Sequence, residues 1–237
     1  MTLPGIAPQV YQKMSSSPAV NAPAAYVLGR KRYMGAASLL KQRLADEKLK
    51  GQQEMAEALG WIGDRSAIPL LITVVKRKSL DGSTGAAWAL GQMKAKESVP
   101  ELLEVLVRDD ARIAPHVIDA LGSIGDARAV SPLIDFQYGT GTKYAKTVGY
   151  ARGKIGGPKV VEYIKDNMEG DDPAQIMAAG SALIRLHDTS LVPYALTVLD
   201  KGNEHARRYA LRYPQTATGL ASKTPQKWKT WAGTKPK

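Results

Sequence analysis

The side chains able to do chemistry are few. Histidine occurs only at 116, 187 and 205, and cysteine does not occur. That removes disulfides, thiolate nucleophiles and Cys-based metal sites. His116 and Asp119 lie three residues apart, as do Glu54 and Glu57, so on helices each pair shares a face. Brought together, the four could form a carboxylate–histidine cluster for a metal ion or for acid–base work. No histidine has a second ligand at metal spacing, however, so a polar wall is the simpler expectation. Gly153-Lys154-Ile155-Gly156-Gly157 has the glycines and the lysine of a phosphate loop but neither its spacing nor a preceding strand. The expectation is a protein that is not an enzyme, with no catalytic residue, metal or cofactor.

Aromatic and charged residues at constant spacing are the stronger signal. Tyr26, Glu57, Trp88, Asp119, Tyr150 and Ser181 follow one another every 31 residues. Arg30, Trp61, Gln92, Ser123, Lys154 and Arg185 form a second such series, and Pro23, Glu54, Gly85, His116, Thr147 and Ala178 a third. All three are in phase with Leu28-Gly29, Leu59-Gly60, Leu90-Gly91, Leu121-Gly122, Arg152-Gly153 and Leu183-Ile184. On a helix these three series fall opposite the apolar face that carries the leucines. Tyr and Trp offer large contact area for little entropy lost, which is how binding hot spots are built. The candidate partner-binding set is therefore Tyr26, Arg30, Glu54, Glu57, Trp61, Trp88, Gln92, His116, Asp119, Tyr150, Lys154 and Arg185. Its aromatics could instead fold down and pack between neighbouring helices.

A 31-residue phase held over more than 150 residues is a repeat array. Each unit predicts two helices. One ends near Leu-Gly-x-Ile; the other is of the type Ala67-Ile68-Pro69-Leu70-Leu71. Gly63-Asp64 supplies the stop, Ser66 an N-cap, and Pro69 sits in the first turn, where a missing N–H costs little. The second helix is expected to run to about residue 76, with Gly82, Gly139, Gly141 and Gly202 marking loops back. Helices this short bury their apolar faces only by stacking on neighbours.

Ala58-Leu59-Gly60-Trp61-Ile62-Gly63-Asp64-Arg65-Ser66-Ala67-Ile68-Pro69-Leu70-Leu71, and the stretch from Ala120 to Ile134, resemble HEAT-like repeats of the short type found in phycobilin lyase subunits and many bacterial proteins. The resemblance covers roughly residues 18–213. It implies an all-α fold, a right-handed α-solenoid of about six to seven stacked helix pairs, with the Leu-Gly helices lining a concave side. That family commonly carries Val-Arg seven to eight residues before the Leu, with an acidic residue in the turn. Gly51-Gln52, Gly82-Ser83, Ile113-Ala114 and Tyr144-Ala145 stand there instead, which puts the usual Asp–Arg ladder in doubt. HEAT-like deoxyhypusine hydroxylases hold iron with His-Glu pairs, and this chain has no His-Glu.

Residues 1–17 read as an arm ordered in part at best, 18–213 as the array, and 214–237 as a capping segment and basic tail. Pro214 is expected to end the last array helix. Thr224-Pro225 starts a short helix whose Trp228 and Trp231 resemble the Trp-x-x-Trp close of bacterial HEAT-like proteins. No run approaches a membrane span. The opening residues lack a basic start and an apolar stretch, so a cytoplasmic location is expected, with an exported form lacking its signal as the alternative.

The net charge of +11 is loaded at the ends: eight basic and two acidic residues in 1–50, fifteen of each in 51–170, and ten against five in 171–237. A nucleic-acid reader concentrates basic groups on one binding face. The expected function is a non-enzymatic interaction scaffold, binding a peptide or protein segment on the concave face through the aromatics. Glu54, Glu57 and Asp119 would select basic or polar groups. Two alternatives stand beside it: a nucleic-acid binder like the HEAT-like alkylpurine DNA glycosylases, and an accessory subunit of an enzyme. The oligomeric state is left open.

Overall fold

The computed structural model describes residues 5–77, 79–108, 110–219, 224, 226–228 and 230. Every regular element among these residues is helical. The chain divides into two compact units, Met1–Ile124 and Gly125–Lys237. Unit 1 holds α1 (Ile6–Ser16), α2 (Asn21–Arg30), α3 (Ala37–Ala45), α4 (Gln52–Ile62), α5 (Ile68–Val75), α6 (Leu80–Gln92), α7 (Val99–Val107) and α8 (Ala114–Ile124). Unit 2 holds α9 (Val130–Thr140), α10 (Ala145–Ile155), α11 (Pro158–Met168), α12 (Pro173–Leu186), α13 (Val192–Lys201) and α14 (Glu204–Thr218).

Two layers form in each unit. The helices carrying the Leu-Gly column, here the A helices, are α2, α4, α6 and α8 in unit 1, and α10, α12 and α14 in unit 2. Within a unit each A helix packs on the next. Helices α3, α5, α7, α9, α11 and α13 make the B layer, whose members meet one another much less. Leu28, Leu59, Leu90, Leu121 and Leu183 are fully buried between the layers, as are Leu71, Leu102 and Leu133 from the B side.

The glycines of the Leu-Gly pairs explain the tight A layer. A Cβ on Gly29 would lie 2.6 Å from Ala58 Cα, on Gly60 2.9 Å from Ala89 Cα, on Gly91 3.2 Å from Ala120 Cα, and on Gly153 2.5 Å from the Ala182 carbonyl oxygen. The partner is always the alanine 29 positions on. Glycine and alanine face each other because nothing larger fits between the two backbones.

Each A helix then closes four residues after its column leucine. Gly63 (φ 79°) takes the left-handed helical conformation there, and Gly125 (74°) and Gly156 (70°) also have positive φ. In the other repeats that place is held by Arg32 (49°), Lys94 (49°) and His187 (52°), a conformation that strains an L-residue. The closure uses the carbonyls of the Leu-Gly pair: Arg32 N–H donates to Gly29 O and Tyr33 N–H to Leu28 O, as Lys94 does to Gly91 and Ala95 to Leu90. A basic residue at this point complements the negative end of the helix dipole, which offsets part of the strain.

A 3-10 turn follows, and its cap is the aspartate, not the expected Ser66. Asp64 Oδ1 accepts from Ser66 N–H at 3.1 Å, Asp126 Oδ1 from Arg128 N–H at 2.9 Å and Asp188 Oδ1 from Ser190 N–H at 2.9 Å. The Ser66 hydroxyl itself donates to Asp64 at 2.7 Å, and Lys41 of α3 pairs with the same carboxylate at 3.0 Å. Burial raises the Asp64 pKa, but the bonds from Ser66 and Lys41 outweigh it and hold the carboxyl below its ordinary value.

In unit 1, arginines reach back to carbonyls near the C-terminal ends of α1, α3 and α5. Arg43 donates to Met14 O at 2.8 Å, Arg77 to Leu44 O at 3.0 Å and Arg108 to Lys76 O at 3.0 Å. These satisfy acceptors that a helix end leaves without an internal donor.

Four sequence expectations change. Residues 6–16, read as part of an arm, form α1, whose Met14 is fully buried. Gly82 lies inside α6, where a Cβ would come within 3.3 Å of Val74 Cγ1, and Gly139 lies in the last turn of α9. Pro214 does not end α14, which runs on to Gly219 (φ 68°). Pro214 forgoes one helical bond, but it and Tyr213 are buried, and the Tyr213 hydroxyl donates to the Asp188 carbonyl. Trp228 is 1% exposed and joins the apolar cluster containing Ala210 and Tyr213; Trp231 lies outside the described residues.

Two stability changes test this reading. Gly60→Val drives two methyls into α6 and is expected to cost at least about 2 kcal/mol in urea unfolding. Lys94→Gly relieves the left-handed strain and is expected to stabilise by up to about 1 kcal/mol in the same assay.

Candidate functional site

The A layer of unit 1 brings three of the predicted aromatics together. Tyr26 on α2, Trp61 on α4 and Trp88 on α6 form an edge-to-face run, with ring centroids 5.7 Å apart for Tyr26–Trp61 and 5.2 Å for Trp61–Trp88. Such pairs are worth about 0.5–1.5 kcal/mol beyond the area they bury. Arg30 lies over Trp61, its guanidinium carbon 5.5 Å from the ring centroid. Tyr26 is 52% exposed; Trp61 and Trp88 are half-buried.

The half-burial has a clear origin. A Cβ on Gly29 would lie 2.7 Å from Trp61 Cε3, and one on Gly60 2.9 Å from Trp88 Cζ3. Each indole rests one edge on the glycine of the preceding A helix and turns the rest outward. Each indole is thus partly packed and partly exposed, between the two arrangements the sequence left open.

Carboxylates flank the run. Glu54 and Glu57 on α4 are half-buried, and Glu57 accepts from Gln53 Nε2 at 2.8 Å. His116 and Asp119 are exposed on α8. Helix α6 lies between α4 and α8, so the four do not form the cluster their spacing allowed. Among the described residues no group of three or more His, Asp or Glu is placed to hold a metal ion. Gln92 and Trp61 line a shallow depression of about 360 Å³ together with Arg32 and Arg65. Arg65 is tied to the Met93 carbonyl at 2.8 Å and to Glu97 at 2.9 Å. Neither arginine stood in the predicted columns, since both belong to the turn that follows the A helix.

Unit 2 presents a different A face. Tyr150 on α10 is half-buried beneath Lys146, whose Nζ is 5.7 Å from the ring centroid. Lys154 is half-buried and Arg185 on α12 is exposed. Ser181, in the same column as Tyr150, is fully buried against Gly149. The predicted residues here are cationic, where those of unit 1 are mainly acidic and aromatic.

A model built on HEAT repeats matches residues 7–82 and 84–140, more than half of the 237 residues. The chain belongs to the HEAT-repeat family. No curated protein matches it. Among solved structures, this HEAT-repeat chain is similar to the complex of CpcE and CpcF of phycocyanin lyase from Nostoc sp. PCC7120, at 20% identity and TM-score 0.56 over 92% of this chain and 95% of that one. It also aligns with human deoxyhypusine hydroxylase in complex with glycerol (16% identity, TM-score 0.42, 90% and 85% covered). An engineered protein gives 18% identity and a TM-score of 0.44, with 91% and 100% covered. At 20% identity the likeness to the lyase complex is one of fold alone. No described helix of this HEAT-repeat protein is long and apolar enough to cross a membrane.

The half-burial of the indoles gives a graded outcome in thermal unfolding. Trp88→Ala removes an edge packed on Gly60 and is expected to cost about 1–3 kcal/mol. Tyr26→Ala, at a largely exposed ring, is expected to stay within about 1 kcal/mol.

Proposed function

We propose that the protein is a non-enzymatic interaction scaffold that binds an extended protein segment on its A face, with the Tyr26–Trp61–Trp88 run as anchor. That run carries the reading: three adjoining aromatic rings, held in fixed register by the Gly–Ala contacts, present area at little further entropic cost. Tight spacing of the A helices beside looser spacing of the B helices favours a face that curves toward the A side. Glu54, Glu57 and Asp119 favour a partner with basic or polar groups and would repel a phosphate backbone. An accessory role beside an enzyme fits the same surface, and the lyase-subunit neighbour gives that version its support.

Capture from a source lysate on immobilised wild type and on Trp61→Ala/Trp88→Ala, each with and without nuclease, tests the reading. The expected result is a protein retained by the wild type, reduced at least about tenfold by the double variant, as for loss of a hot spot, and indifferent to nuclease. Recovery of nucleic acid, or capture abolished by nuclease, would shift the assignment to the basic residues.

A further inference from the structure

The aromatic run has flanks of opposite charge. On α4, Glu54 and Glu57 precede Trp61 by seven and four residues, so they lie on its N-terminal side along one stripe of the helix. Past Trp61, at the C-terminal ends of α2, α4 and α6, comes the depression of about 360 Å³. Arg32, Trp61, Arg65 and Gln92 line it, and no carboxylate is among its described lining residues. Arg30 adds a further guanidinium, 5.5 Å from the Trp61 ring centroid.

Arg32 is the cation here that no acceptor claims. Arg65 is tied to the Met93 carbonyl at 2.8 Å and to Glu97 at 2.9 Å. Asp64, the neighbouring carboxylate of that turn, is taken by Ser66 and Lys41. Arg32 is exposed, and its side chain makes no hydrogen bond or ion pair among the described residues. The helix-end carbonyls are also engaged: Leu59 O accepts from Gly63 N–H, and Met93 O from Arg65. The Trp61 indole forms one wall of the depression. A carboxylate placed there would meet Arg32 with part of its water excluded, which strengthens the pair.

A segment covering Tyr26, Trp61 and Trp88 crosses three helices. Packed helix axes lie about 8–10 Å apart, so the span is about 16–20 Å, or about six extended residues. The depression flanks the middle ring, so what enters it is a side chain from the middle of the segment and not a chain end. We propose that the partner segment carries an acidic side chain next to the apolar one that covers Trp61, and that its carboxylate seats in the depression on Arg32. The opposite edge of the segment, toward Glu54 and Glu57, is basic or polar. This inference rests on the A-face reading and adds the order of charge across the segment.

The test selects binders to the full chain from a displayed library of random peptides long enough to cover the three rings. Affinities of the selected peptides are then measured by fluorescence anisotropy. Arg32→Gly is the diagnostic variant: it removes the guanidinium, and glycine already holds that place at 63, 125 and 156 with positive φ, so the fold is kept. The expected consensus has Asp or Glu beside an aromatic or branched apolar residue. Changing that acid to its amide is expected to weaken binding to the wild type about threefold, the scale of an exposed ion pair, and to leave binding to Arg32→Gly nearly unchanged. A consensus without an acid, or an equal loss on both proteins, would overturn the proposal. If such peptides are still lost on Trp61→Ala/Trp88→Ala, the A-face reading stands without it. Selected peptides indifferent to that double variant overturn both. No enrichment at all overturns this inference and leaves the face itself to the lysate capture.

Discussion

Within each unit, successive A helices meet backbone to backbone, and the other features depend on how close they come. Glycine in the Leu-Gly pair removes the one atom that would collide with the alanine 29 positions on. Within a unit, close approach sets the register between neighbouring A helices. It also makes a ledge. The indoles of Trp61 and Trp88 settle on Gly29 and Gly60 because no side chain occupies that space. A single constraint therefore holds the stack together and seats the aromatic run.

The array could be read from the sequence because its signals repeat. One leucine every 31 residues, with glycine beside it, survives local irregularity, and the family match covers the array's first part, to residue 140. What escaped was non-periodic or long-range. The bonds from Arg43, Arg77 and Arg108 to carbonyls near the ends of earlier helices span about thirty residues, and no local propensity announces them. The left-handed column was visible at Gly63 and Gly125 but disguised at Arg32, Lys94 and His187, where a basic residue does what glycine does elsewhere. Pro214 reads as a helix stop by every local rule, and only the burial of Tyr213 and Pro214 overrides it. Of the candidate site, helical phase puts each column at one register position of its helix, but it did not show that Ser181 and Ala178 would be buried. It could not separate an exposed indole from a packed one, since the half-buried outcome comes from a glycine on another helix.

The charge pattern on the A faces sharpens the functional reading. A chain carrying +11 overall sets Glu54, Glu57 and Asp119 beside its aromatic run in unit 1, while unit 2 offers Lys146, Lys154 and Arg185. Surface charges of this kind act chiefly on association rate and partner choice, and buried aromatic area on residence time. The scaffold reading therefore separates selection, by the carboxylates, from retention, by the rings.

The most direct measurement is fluorine NMR of the chain labelled with 5-fluorotryptophan. It has four tryptophans, at 61, 88, 228 and 231, assignable by single Trp→Phe variants. On addition of the captured partner the account predicts that the Trp61 and Trp88 resonances shift or broaden together while that of buried Trp228 stays in place. A bound partner that leaves both Trp61 and Trp88 unmoved would contradict the A face as the binding surface.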